Sequence, residues 1–314
     1  ICSKRKTIWW LGMNLDLHNL KQRTVSGISL ALVLLLFIYI GGGPTTIGGY
    51  DLGDGRLWSP YAFAVLMGGV IFVSIQELAH LVEAQGFTLS RFRSILVSLF
   101  IALSLAQSQG DPLEMPLWLA LMVSLLLVCI GSLWACESLD RALPNQALTL
   151  MSGLLIGFCT GFQWKIFMME GVLSKTGSRL LVSLYLVTWL GDIFAYFIGS
   201  WLGKHKLAPR VSPKKSWEGL AGNFIGNFAA ASFSKFFLYQ EWTWIDVLCI
   251  GLIIGFAAQM GDLVESTWKR GAGIKDSSPS PLIPGHGGLL DRIDSLLFAT
   301  PLFYSYLYFV HGFN

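Results

Sequence analysis

The chain has 314 residues, of which 54% are hydrophobic and only 13% charged, with a mean hydropathy of +0.59. Soluble domains carry about a quarter charged residues, so this balance excludes a water-soluble globule, a coiled coil and a disordered chain. Twenty-two basic against 19 acidic residues leave a net charge of +3, too near balance to imply a nucleic-acid partner.

A helix needs about 20 mainly apolar residues to cross the hydrocarbon core, because its backbone amides must be satisfied within the segment. Nine such stretches are predicted, at residues 25–40, 61–76, 94–107, 117–135, 148–169, 180–202, 220–238, 245–260 and 295–310. The expected fold is all-α: a polytopic integral membrane protein of about nine transmembrane helices, five in residues 1–180 and four in a catalytic region at 181–314. Lys4, Arg5 and Lys6 precede the first run, which reads as a retained span and not as a signal peptide, with Met13 a candidate initiator. Cys2, Cys129, Cys136, Cys159 and Cys249 form no CxxC pair and read as free core thiols. Gly153, Gly157 and Gly161, and again Gly222 and Gly226, have the small-xxx-small spacing of closely packed helices.

Charge placement orients these spans. Counted on alternate sides, 17 of the 22 basic residues fall together: Lys4, Arg5, Lys6, Lys21, Arg23, Arg91, Arg93, Arg141, Lys204, Lys206, Arg210, Lys214, Lys215, Lys269, Arg270, Lys275 and Arg292. The positive-inside bias then puts the amino terminus in the cytoplasm and the carboxyl terminus outside. The two most polar connections, 203–219 and 261–294, follow an even number of crossings and share the cytoplasmic side.

Nine of the 19 acidic residues lie between Asp192 and Asp294. Asp262, Glu265, Ser266 and Lys269 are spaced i, i+3, i+4, i+7, which stacks them on one face of a helix leaving the membrane. Asp291 and Asp294 repeat the i, i+3 spacing, and Asp192 sits inside the sixth span. Ionisable residues there are costly and point to function, although Glu265 with Lys269 alone reads as a salt-bridged helix end. Between the acidic helix ends run Lys269-Arg270, Lys275-Asp276 and Pro284-Gly285-His286-Gly287-Gly288. Glycines let backbone amides approach an anion and fixed cations supply the opposite charge, the makings of a phosphate cradle. Carboxylates beside a phosphate require a cation between them, and oxygen ligands without Cys or paired His favour Mg²⁺ over Zn²⁺. His286 suits a turn-bracing role as well as substrate contact. Lys204 and Lys206 are accounted for as topological signals, whereas Lys214 and Lys215 stand against a Trp217-Glu218-Gly219 helix start. Gly199, Gly203 and Lys204 only approximate a P-loop.

These residues carry a resemblance. Gly261-Asp262, Glu265-Ser266, Lys269-Arg270, Lys275-Asp276, Pro284 to Gly288, Asp291-Arg292 and Asp294 resemble the signature of the phosphatidate cytidylyltransferases, or CDP-diacylglycerol synthases. Ser212-Pro213-Lys214-Lys215-Ser216-Trp217-Glu218-Gly219, with Asp192, Ala195 and Tyr196 upstream, is similar to a second block of that family. Two departures are the longer, proline-rich link Ser277-Ser278-Pro279-Ser280-Pro281 and Ser200, where a basic residue often stands.

The resemblance implies transfer of a cytidylyl group from CTP to phosphatidic acid, with Mg²⁺, and a second cation in prospect, as cofactor. It implies metal ligation by Asp262, Asp291, Asp294 and Glu265, and phosphate neutralisation by Lys214, Lys215, Lys269, Arg270 and Arg292. Ser212, Ser266, Lys275, Asp276, Gly285, His286, Gly287, Gly288 and Asp192 become candidate substrate contacts. Membrane lipids and a second copy of the chain are the further expected partners, with no nucleic acid. A bacterial inner membrane, or an organellar one, is the expected location, with the site facing the cytoplasm. Transfer to another membrane lipid, a lipid kinase and a transporter with an acidic ion path are the alternative readings.

Overall fold

The computed structural model describes residues 46–47, 50–51, 59–107, 115–134, 139–169, 177–274, 277 and 288–312. Eight helices make up almost all of this: α1 (Ser59–Ala84), α2 (Arg91–Ala106), α3 (Leu117–Gly131), α4 (Ala142–Met168), α5 (Gly177–Leu202), α6 (Trp217–Phe237), α7 (Trp244–Gly271) and α8 (Leu290–His311). They coincide with the second to ninth predicted spans; the first, at 25–40, lies outside the described residues. Among the described residues five helices, α1, α4, α5, α7 and α8, are long and apolar enough to cross a membrane. Helix α2 has 16 residues and α3 has 15, while α6 buries Asn223, Asn227 and Ser234, so these three fall short on length or hydropathy. Two antiparallel ribbons complete the architecture, β1 (Thr46–Ile47) with β2 (Tyr50–Asp51), and β3 (Lys206–Ala208) with β4 (Ser212–Ser216).

Small residues set the tightest contacts. Along α4, Gly153, Gly157 and Gly161 face Val97, Ser98 and Leu105 of α2, and Ser98 Oγ donates to the Gly153 carbonyl at 2.9 Å. On α6, Gly226 meets the Leu190 carbonyl and Gly191 of α5, where a Cβ would lie 2.6 Å from Leu190 O and 3.0 Å from Gly191 Cα. Both stripes have the packing role their spacing predicts. Gly226→Leu is expected to destabilise the folded protein by about 1–3 kcal/mol through overpacking. A wild-type unfolding temperature in detergent would contradict this contact.

A continuous core runs from Phe63 to Leu307, so α1 and α4 of the first half pack with α5, α7 and α8 of the second. Helix α3 is apolar on all sides and buries only Ala120, Ser124 and Val128. Its outer face carries Leu121, Leu125 and an exposed Cys129, so this thiol faces outward, whereas Cys159 is buried as expected of a core cysteine.

Successive helices alternate in direction, which collects charge at one end of the bundle. There Arg141 donates to the Gly86 carbonyl, Arg91 pairs with Glu83 at 2.7 Å, and Arg93 donates to the Val128 carbonyl at 3.0 Å. Arg270 Nε donates to the Val211 carbonyl at 3.3 Å. At the opposite end Asp246 closes a capping box with Thr243 and accepts from Tyr306 and His311, tying the start of α7 to the end of α8. Asp246 is thus one acidic residue of the polar third whose role is structural.

Candidate active site

The last turns of α7 reproduce the predicted face. Ser266 Oγ donates to Asp262 Oδ1 at 3.2 Å, and the Lys269 ammonium pairs with Glu265 one turn earlier. Lys269 Nζ also meets Asp291 Oδ1 at 3.0 Å in the first turn of α8, so one ammonium joins two helices. Glu265 is 1% exposed, which makes that ion pair a buried one.

Residues 203–219 form more than a loop. Lys206 pairs with Ser216 and Ala208 with Ser212 across the β3–β4 ribbon. Ser216 then caps α6, its hydroxyl accepting from the Gly219 amide at 3.1 Å. Glu218 accepts from the Lys204 and His205 amides and from His205 Nδ1 at 2.7 Å. The His205 contact, joined by those amides, holds its carboxyl down at about 2. The ribbon's register is irregular, and along β4 exposure does not simply alternate: Pro213 and Lys214 are exposed, whereas Ser216 is buried and Lys215 turns inward to Asp262 Oδ2 at 2.7 Å. Ser212 is half-buried at the start of β4, and Arg270 leans on this ribbon through Val211.

Three carboxylates from three helices share the space beside Lys215. Asp192 of α5 is exposed at its surface, with Asp262, Lys215 and Ser295 as its charged and polar neighbours. Ser295 Oγ donates to Asp192 Oδ2 at 3.5 Å, and the Ser295 amide donates to Asp294 Oδ1 at 2.6 Å. Asp294, 9% exposed, is repelled by both Asp262 and Asp192. Mutually repelling oxygen donors have the chemistry a hard divalent cation satisfies. Among the described residues, however, no three of them converge into a group that would hold one ion.

Asp291 organises the start of α8 and the nearby Ser277. Its Oδ2 accepts from the Gly288 amide at 2.9 Å and the Ser277 amide at 3.4 Å. Gly288 thus directs its amide to its own chain, and a Cβ there would run into the Ser277 hydroxyl and the Glu77 carboxylate. Arg292 is exposed on the first turn of α8. Lys275, Asp276, Gly285, His286 and Gly287 lie outside the described residues.

One participant escapes the motif reading. Glu77 of α1, 3% exposed, accepts from the Leu289 amide at 2.9 Å, the Leu290 amide at 2.7 Å and Ser277 Oγ at 3.0 Å. Its signal in the sequence is a carboxylate immediately after the apolar run 61–76, where an ionisable side chain needs a partner.

An antiparallel helical bundle with five helices able to cross a membrane, and with carboxylates and lysines gathered at one end, defines a polytopic membrane protein. More particularly, the chain belongs to the cytidylyltransferase family, whose model matches residues 21–310. Among curated proteins it is 32% identical over 305 residues to the phosphatidate cytidylyltransferase of Haemophilus influenzae, covering 92% of this chain and 99% of that one. The phosphatidate cytidylyltransferase of Pseudomonas aeruginosa is 36% identical over 293 residues, covering 92% and 97%. That of Bacillus subtilis is 30% identical over 287 residues, covering 91% and 97%.

Proposed function

We propose that the protein transfers the cytidylyl group of CTP to phosphatidic acid, giving CDP-diacylglycerol and pyrophosphate. The observation that carries this reading is the charged end of the helical bundle, where Lys215 pairs with Asp262 and Lys269 joins Glu265 to Asp291. The name shared by the curated relatives supports the choice of substrates.

The reaction needs no strong base. An oxygen of the lipid phosphate, already an anion at neutral pH, bonds to the α-phosphorus of CTP as the bond to the β-phosphate oxygen breaks, and pyrophosphate carries away that electron pair. Repulsion between the two anionic reactants is the obstacle. Lys215 and Lys269, with Lys214, Arg270 and Arg292 nearer solvent, counter that charge and orient the phosphates. Asp262 and Asp294, with Asp192 beside them, are the residues that would hold Mg²⁺, whereas Asp291 and Glu265 are already engaged by Lys269. When bound, the ion would neutralise phosphate oxygens and fix their orientation.

The full membrane arrangement we propose is nine spans with the amino terminus in the cytoplasm, which puts the basic end of the bundle on the inner side by the positive-inside bias. CTP then arrives from the cytosol and the lipid from the surrounding leaflet, in a bacterial inner membrane as suggested by the bacterial relatives.

Purified protein in lipid vesicles, given phosphatidate and CTP labelled at either the α- or γ-phosphate, tests the reaction. Label should enter lipid from the α position only, pyrophosphate should be released, and a chelator should stop turnover until Mg²⁺ is restored. Lipid labelled from the γ position would mean a kinase; dissipation of a substrate gradient without pyrophosphate release would mean transport. Lys214→Ala is expected to raise the KM for CTP or phosphatidate several-fold with a smaller change in kcat. Unchanged kinetics would return this exposed lysine to a purely topological role.

A further inference from the structure

A carboxylate 3% exposed in a helix interior is costly unless its oxygens are matched, and Glu77 is matched entirely by groups about 200 residues away in the chain. The groups it receives are informative. Leu289 and Leu290 supply the first amides of α8, which lack partners inside their own helix, and α8 has no side-chain cap at Leu289. The negative charge therefore sits at the positive end of the α8 dipole. Ser277, the third donor, belongs to the other side of the connection between α7 and α8.

Both feet of that connection thus meet on one carboxylate. The same two feet meet again on Asp291, which accepts from the Ser277 and Gly288 amides while its other oxygen holds Lys269. Gly288 lies between them, and a side chain there would push the Glu77 carboxylate or the Ser277 hydroxyl aside.

We infer that Glu77 is a positioning residue for the transfer reaction: from α1 it clasps Ser277 to the start of α8 and thereby sets the placement of Asp291 and Lys269. This rests on the proposed reaction for its catalytic consequence, but the clasp itself is open to measurement without turnover. Glu77 acts through its neighbours: it holds Ser277 against Leu289 and Leu290, leaving Asp291 to present one oxygen to Lys269. Glutamine in its place keeps the size but replaces one acceptor oxygen with an NH₂ group facing donors, so at least one of the three contacts is lost.

Glu77→Gln and Ser277→Ala, purified in nanodiscs, distinguish this role from general support of the fold. In Glu77→Gln, hydrogen exchange at the amides of residues 288–292 should quicken at least about tenfold, with peptides of α2 to α4 unchanged. The kcat should fall at least about tenfold, with a smaller change in KM for CTP. Ser277→Ala should move both readouts in the same direction but less, and Ser277→Thr, which keeps the hydroxyl, should restore them. Wild-type exchange at 288–292 in Glu77→Gln, or a quickened exchange with normal kcat, overturns the inference. If Glu77→Gln fails to fold, the paired Ser277 variants decide the question by the same two readouts. Should the wild-type protein fail to make liponucleotide, the proposed reaction falls, while the exchange result still decides whether the clasp exists.

Discussion

Asp262→Asn is expected to abolish CTP-dependent liponucleotide synthesis, by roughly 10³-fold, while leaving the protein inserted and folded. Asp262 is only partly buried, and asparagine has nearly the same shape, so the packing around it is retained. Two things are lost together. The ion pair with Lys215, 2.7 Å away, becomes a contact between an ammonium and a neutral amide, which weakens one tie between the β4 ribbon and α7 while Arg270 still holds Val211. The repulsion of Asp262 against Asp192 and Asp294 also disappears, removing a charge that would draw a divalent cation to them. Turnover in membranes, measured alongside a wild-type thermal unfolding profile, checks both halves of the expectation. Near-normal turnover would falsify the assignment of Asp262 to the metal.

Lys269→Met should be more damaging still, affecting stability as well as activity. Lys269 is the bridge between Glu265, which is 1% exposed, and Asp291, so its removal leaves two carboxylates facing each other with no cation between them. Breaking a buried pair by deleting one partner costs about 3–5 kcal/mol, chiefly the desolvation of the charge left behind. Methionine preserves most of the aliphatic stem, which separates this charge effect from lost packing. The double variant Lys269→Met with Glu265→Gln should recover much of the lost stability, because one of the stranded charges is gone, yet remain inactive. Unfolding in detergent read against activity tests this; an active double variant would show that Lys269 does no more than brace the helices.

How far the sequence foretold these features depends on the range of the interaction. Apolar length is written locally, and the eight described helices fall where the hydropathy places spans. Their ends were less legible. Helix α7 continues to Gly271, α1 to Ala84, and α8 begins at Leu290, in each case past the apolar run into charged turns. Those polar extensions are where Lys269, Asp291 and Arg292 sit, so a hydropathy boundary cuts through the site it is meant to locate. The i, i+4 contacts of Asp262 with Ser266 and Glu265 with Lys269 follow directly from helical spacing. The differing fates of Lys214 and Lys215 do not, because a connection read as a loop gives no reason for adjacent lysines to face opposite ways. Glu77 was invisible to motif reading for a related reason: its partners lie at the other end of the chain, and only packing brings them together.

That long-range attachment bears on whether the motif-bearing half is a self-sufficient module. Helix α8 begins under a carboxylate lent by α1, and α4 shares one core with α5 and α8, so a fragment starting at residue 177 would expose the apolar faces that α1 and α4 cover and leave the first amides of α8 unpartnered. Lineages that exchange or trim the amino-terminal helices must therefore keep α1, or furnish another anion in its place, even though the recognisable signature begins more than a hundred residues later.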